Sequence, residues 1–310
     1  MAGKIGPTSG LSGLSGLSGL SGLSGLSGLS GLSGLAGGGG PGAEVSIVRP
    51  VGTSPAVQAR PGEDWFRGNP WPPLDATWPK DQVAPEVTAF PESAWSPEHL
   101  STVILGEFVR ARVNGKGWAS IDLTPDLPDA AGTLAEIGEL IDLIEYRPAV
   151  IAEALSQSGT FMDFFRGVLS FTQSSHPATF RLAWAAMRIG AFQAMHHKHL
   201  HRRPRPSHIC PSLMPPIDPP AHAAFPSGHA TESKLVAMTL STAMPGAAHA
   251  PLDRMAERVA RNREVLGVHY ASDSKAGVAL ATQSHPILMK CATIRRLRKA
   301  ARIEWGLPPN

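Results

Sequence analysis

Residues 11–34 repeat Leu-Ser-Gly eight times, and the chain then runs through Leu35-Ala36 into four glycines. Glycine at every third position is the collagen period, but the tract carries none of the prolines that a triple helix requires. The period fits neither helix nor strand burial. Single leucines between glycines bury too little apolar surface to offset the entropy of ordering them. Residues 1–43 therefore read as a disordered tether, and any core must come from the remainder of the 310 residues. Residues 44–94 are rich in proline and tryptophan, including Trp65, Trp71 and Trp78, with Trp95 just beyond. Such a stretch suits irregular polypeptide laid over a folded body, with tryptophans as anchors or as a substrate-facing lip.

Residues 95–310 carry helical spacing throughout. Ser96-Pro97-Glu98 opens a helix that can run to about residue 113. Thr133 with Glu136 makes a capping-box pattern ahead of Ile137, Leu140, Ile141 and Ile144, spaced three and four apart on one face. Pro148 and Pro177 suit first helical turns, so residues 177–199 form a helix with Lys198 near its end. Residues 252–266 form another. A closing stretch over 274–302 is kinked or broken where Pro286 removes a backbone donor. No run alternates like a strand, so the fold class is all-α.

Composition narrows the function classes. A net charge of +3 gives no case for nucleic acid. Cys210 and Cys291 are the only cysteines, so free thiols are expected rather than a disulfide framework. The longest charge-free stretch, residues 235–252, is broken by Pro245-Gly246 and falls short of the roughly twenty apolar residues a span needs. No secretory signal is evident behind Met1, so a cytoplasmic location and no membrane-spanning segment are expected.

Three short pieces in fixed order point to one chemistry. They are Lys198 followed by Arg205-Pro206, then Pro226-Ser227-Gly228-His229, then Arg263 followed by His269 and Asp273. Lysine and arginine neutralise phosphate oxygens, and the arginine fork grips two at once. Ser227 and Gly228 read as a helix start, where unpaired N–H groups meet an anion and glycine lets it come close. Gly267 is placed to end the helix carrying Arg263 and turn His269 back toward the cations. Asp273, near the start of the next helix, can accept a hydrogen bond from one ring nitrogen of His269 and leave the other free to attack.

Residues 180–277, through Lys198, Arg205, Pro206, Pro226, Ser227, Gly228, His229, Arg263, His269 and Asp273, resemble the superfamily of type-2 phosphatidic acid phosphatases, bacterial class A acid phosphatases and vanadium-dependent haloperoxidases. Asn262 stands where that superfamily often has serine. The resemblance implies a helical bundle of the acid phosphatase and haloperoxidase type, of the branch without membrane spans. For a phosphatase acting on a small phosphate ester it implies no cofactor. Lys198, Arg205, Ser227, Gly228 and Arg263 then hold the phosphoryl oxygens, His269 attacks phosphorus, and His229 protonates the leaving alcohol and activates water. For a haloperoxidase it implies vanadate in the same cradle, with His269 as vanadium ligand.

His222, seven residues before His229, resembles a histidine of the bromoperoxidases and is a possible pocket residue. Against it, few residues separate His229 from Arg263, as in the compact phosphatases, and this compactness is given more weight. A non-catalytic anion-binding scaffold is the reading from a different class, opposed by the presence of every catalytic group. The run of His196, His197, His199 and His201 with Arg202 and Arg203 lacks the separated pairs of a zinc site. It reads as a solvated face or as residues behind the site, and no metal is expected there. Arg258 and Arg261 read as surface residues, and Tyr270 as pocket lining or packing.

Overall fold

A computed structural model describes residues 89–309. The tether at 1–43 and nearly all of the Pro/Trp-rich segment lie outside the described residues. Trp95, at the edge of that segment, is partly buried against the main core, and its carbonyl accepts from Arg181 Nε at 3.3 Å. Among the described residues the long elements are all helices, with no strand.

The helices are α1 (Pro97–Arg110), α2 (Ala130–Asp142), α3 (Arg147–Gly159), α4 (Met162–Leu169), α5 (Pro177–His201), α6 (Gly228–Ser241), α7 (His249–Val265), α8 (Ala271–Leu288) and α9 (Ala292–Glu304). In α1, Leu100, Ile104 and Phe108 recur every fourth residue and are buried, which fixes its inner face. Each such side chain contributes roughly 1.5–3 kcal/mol on leaving water. Helix α6 is different. Leu235, Val236, Ala237 and Leu240 point in several directions and are all buried, because α5, α7 and α8 pack around it. A helix apolar on all sides is a central one. Close approach is built in by small residues: a Cβ on Gly277 of α8 would lie 2.8 Å from Ser227 O and 2.9 Å from Ala230 Cβ. The start of α6 and the first turns of α8 are thereby pressed together, and that junction carries the site.

Two local expectations are corrected. Helix α2 begins at Ala130, not at a Thr133–Glu136 box. Asp129 caps it by accepting from Gly132 N at 2.8 Å, and Glu136 is drawn away to Arg203 and Ser272. The closing stretch does not break at Pro286. Helix α8 carries Pro286 in its last turn and ends at Leu288, and the chain restarts as α9 after Cys291. The restart falls where Glu107 of α1 offers a cap, accepting from Thr293 N at 3.0 Å and from Thr293 Oγ1 at 2.6 Å. Cys210 and Cys291 are free thiols. No helix of the described residues is long and apolar enough to cross a membrane.

Candidate active site

Local sequence aims each side chain. Helix α5 ends when Arg202 takes a left-handed conformation at φ 50°, leaving Lys198 in the last turn and Arg203 to Arg205 in extended chain. Helix α7 ends at Gly267, φ +73°, where Gly267 N donates to Glu264 O and Val268 N to Arg263 O, a Schellman ending. That turn brings His269 round to Arg205, as the sequence suggests. Ser227 caps α6, accepting from Ala230 N at 3.4 Å, while its own N–H donates to Asp273 O at 2.9 Å. Arg258 and Arg261 are exposed, as expected.

The geometry at His269 settles its tautomer. Asp273 Oδ2 lies 2.9 Å from His269 Nδ1, and Arg205 Nη1 lies 3.0 Å from His269 Nε2. A guanidinium only donates, so Nε2 accepts with its lone pair and the proton sits on Nδ1, toward the carboxylate. Arg205 is fully buried and also donates to Val268 O at 2.7 Å, His222 O at 3.0 Å and His222 Nδ1 at 2.9 Å. Lys198 Nζ donates to the carbonyls of Ala223 and Ala224 at 2.8 and 2.9 Å. A cavity of about 670 Å³ opens onto Lys198, Arg205 and His222.

The other histidine is held differently. His229 Nε2 lies 3.1 Å from the backbone oxygen of Gln157 on α3, so Nε2 carries the proton and donates it. Arg263 stands on this side of the site. Its Nη1 donates to Ser158 Oγ at 2.6 Å and its Nη2 to Ala154 O, both on α3. Asn262 donates to Gln157 Oε1 at 2.8 Å and so steadies the residue that holds His229. Lys198, Arg205, His222, His269 and Asp273 thus form one connected group. The Arg263 guanidinium is tied to α3 instead, and its charge bears on His229.

Burial dominates the proton affinities. It holds His269 and Lys198 well below their ordinary values, with Arg205 pushing both the same way. His229 is lowered to about 3 by burial and then by Arg263, and His222 to about 4 by burial and then by Lys198. Arg205 and Arg263 are lowered to about 10 by burial, which leaves both charged at neutral pH. Burial pushes the Asp273 carboxyl up, and Arg203 opposes that. Buried cations beside neutral histidines make a strong electrostatic trap for an oxyanion, which would raise the proton affinity of each group it touches.

Four residues outside the three motifs complete the site. Arg203, 6% exposed, donates to Asp273 Oδ1 at 2.7 Å and Glu136 Oε2 at 2.8 Å, and lies 3.7 Å over the Tyr270 ring. Tyr270 is therefore packed in the core. Glu136 holds the start of α8 through Ser272 N at 2.6 Å. Gln157 acts through a backbone oxygen, which no side-chain pattern can announce. Glu232, three residues after His229, is the fourth. Arg203 is legible in the sequence only as part of the histidine-arginine run before Arg205, and Glu136 only as a local cap.

Comparison with known proteins supplies the class. A protein of Mycolicibacterium smegmatis named decaprenylphosphoryl-5-phosphoribose phosphatase is 34% identical over 139 residues, covering 42% of this chain and 73% of that protein. The protein of the same name from Mycobacterium tuberculosis is 36% identical over 108 residues, covering 32% of this chain and 56% of its own length. No family profile matches the chain.

Proposed function

The chain belongs to the phosphatase family of these mycobacterial relatives, and on that premise we propose that it hydrolyses phosphoric monoesters through a phosphohistidine on His269. The observation that carries this reading is the tautomer of His269, with Asp273 on Nδ1 and the lone pair of Nε2 directed at Arg205. Assignment to the type-2 phosphatidic acid phosphatase superfamily rests on the three motifs and on their convergence at the α6–α8 junction.

In this mechanism the phosphoryl group lies among Lys198, Arg205, Ser227 and the Gly228 N–H, with Arg263 contributing from the α3 side. Nε2 of His269 attacks phosphorus as the ester oxygen departs. Asp273 stabilises the positive ring that results, and His229, which takes up a second proton on Nδ1 when the anion binds, hands that proton to the leaving alcohol. His229 then takes a proton from water, which attacks the phosphohistidine, releases phosphate and restores His269. Positioning and charge stabilisation do most of the work, as is general in phosphoryl transfer. The same cradle would also hold vanadate, with His269 as the residue to bind the metal, where it would supply peroxide activation for halide oxidation. The phosphatase relatives favour hydrolysis.

A side-by-side assay of the full chain tests this. We expect it to hydrolyse an aryl phosphate, to be inhibited by vanadate competitively with phosphate, and to yield an acid-labile phosphoenzyme. Bromide oxidation by vanadate-loaded protein in peroxide, with no ester hydrolysis, would overturn the proposal.

A further inference from the structure

Glu232 is an acid inside a cradle for anions, and the mechanism above leaves it unused. It lies one turn into α6. A Cβ built on Gly228 would sit 3.3 Å from Glu232 Oε1 and 3.9 Å from Lys198 Cε, so the carboxyl, the lysine stem and the start of α6 meet at one point. Its side chain is confined from behind. A Cβ on Gly190 of α5 would come within 2.8 Å of Glu232 Cα and 3.1 Å of its Cγ, so the α5–α6 crossing closes over the stem. Lys198 does not pair with it. The ammonium is spent on Ala223 O and Ala224 O, and no ion pair involves Glu232 among the described residues.

A carboxylate here would repel the phosphoryl group that the surrounding cations attract. A carboxylic acid would not, because its O–H is one more donor aimed at the same oxygen-rich ligand. We propose that Glu232 contacts the substrate, donating a hydrogen bond as the neutral acid to a non-bridging oxygen of the bound tetrahedral anion, and that its ionisation weakens anion binding. The proposal rests on the reading of the site as an oxyanion cradle and adds to it the protonation state in which it binds.

The charges around the carboxyl agree. Burial raises Glu232 to about 8, and Lys198 of α5 pulls the other way. The other ionisable groups at the junction are His229 on α6 itself, Arg263 on α7, His269 between α7 and α8, Asp273 on α8, and Arg205 and His222 in the chain between α5 and α6. At neutral pH the acid form is therefore the resident one. A nearby dianion favours it further. Linkage then requires anion binding to weaken as pH rises through and beyond about 8, by up to about tenfold per pH unit while one proton must be taken up.

Sulfate is the suitable probe, because it is tetrahedral and keeps one charge state across the range. Calorimetric sulfate binding by the full chain is measured from pH 6 to 9.5 for wild type, Glu232→Gln and Glu232→Ala. Wild type should lose affinity above pH 8. Glu232→Gln, which keeps a donor and cannot ionise, should bind with little pH dependence over the same range. Glu232→Ala should bind more weakly than Glu232→Gln at pH 6. The KM for an aryl phosphate should follow the same pattern, rising at alkaline pH in wild type but not in Glu232→Gln. If Glu232→Gln lost sulfate as steeply as wild type, the titrating group would be Lys198 and the inference would be wrong. Ester hydrolysis by a wild type that binds no sulfate at any pH would also overturn it, yet leave the hydrolase reading intact. Failure of both hydrolysis and anion binding would remove that reading as well.

Discussion

The two histidines of the site stand beside the starts of neighbouring helices and are supported in contrasting ways. His269, just before α8, gives its Nδ1 proton to Asp273, and behind Asp273 lie Arg203, Glu136 and Ser272 in a buried ionic chain. His229, in the first turn of α6, gives its Nε2 proton to a single backbone oxygen, that of Gln157. A carboxylate stabilises positive charge on the ring it touches, whereas a carbonyl orients the ring and does much less for its charge. Phosphorylating a ring nitrogen creates such a charge, so the ionic chain belongs behind the nucleophile. A residue that must give up its proton gains from weaker support. The contrast is what the proposed roles, His269 as nucleophile and His229 as acid, would require.

The largest expected effects come from removing each ring in turn. His269→Ala should abolish both turnover and the acid-labile phosphoenzyme. His229→Ala should retain a phosphoenzyme but lose roughly a hundredfold or more in rate, which is typical for a missing general acid. That loss should grow as the leaving alcohol becomes less acidic. Rates across a series of aryl and alkyl phosphates, with radiolabel trapping, distinguish the two. A His269→Ala protein that still formed phosphoenzyme would invert the assignment.

Next in size is the ionic chain itself. Arg203→Met leaves the Asp273 carboxylate buried without its partner, a change that typically costs about 3–5 kcal/mol of stability. Stability alone would not show that Arg203 positions His269. The telling measurement is the pH dependence of kcat. Arg203 holds the Asp273 carboxyl down against burial, so without it the acid limb of the profile should move to higher pH. The leaving-group dependence, which reports on His229, should stay as in wild type. An unmoved acid limb would reduce Arg203 to a structural role.

Legibility in the sequence followed the same division. Residues whose chemistry is carried by side-chain type and spacing were readable. Lys198, Arg205, His222, His269 and Asp273 do converge, and Gly267 does end α7. The motif spacing groups Arg263 with them, whereas its guanidinium is tied to α3, because sequence spacing does not reveal which neighbour a long side chain will choose. Gln157 was invisible since it acts through its main chain. Glu136 reads as a local cap, for local patterns cannot anticipate a partner 67 residues away. Glu232 sits at an ordinary helical position and gains meaning only from what α5 brings beside it.

The smallest predicted effect concerns a histidine outside both groups. His197 precedes Lys198 on α5, is 2% exposed, and has both ring nitrogens without a hydrogen-bond partner. It lies edge-on to His196 at 5.2 Å and stacks on His201 at 5.9 Å. Burial lowers it to about 4, with His196 and His201 acting the same way and Asp122 opposing. An unfolded histidine titrates near 6.5, so between about pH 6.5 and 4 the unfolded chain binds the proton more readily. The stability that the neutral ring allows at pH 7 is therefore lost as pH falls through that window. His229 and His222, lowered to about 3 and about 4, add to the loss in the same direction. His197→Phe removes one contribution and no hydrogen bond. Melting at pH 7 should change little, and the drop between pH 7 and 5 should shrink, by about 2–4 °C for each kcal/mol of linkage removed. Calorimetric melts at the two pH values decide it: an undiminished drop would mean that the acid sensitivity resides in the other buried histidines, His222, His229 and His269 among them.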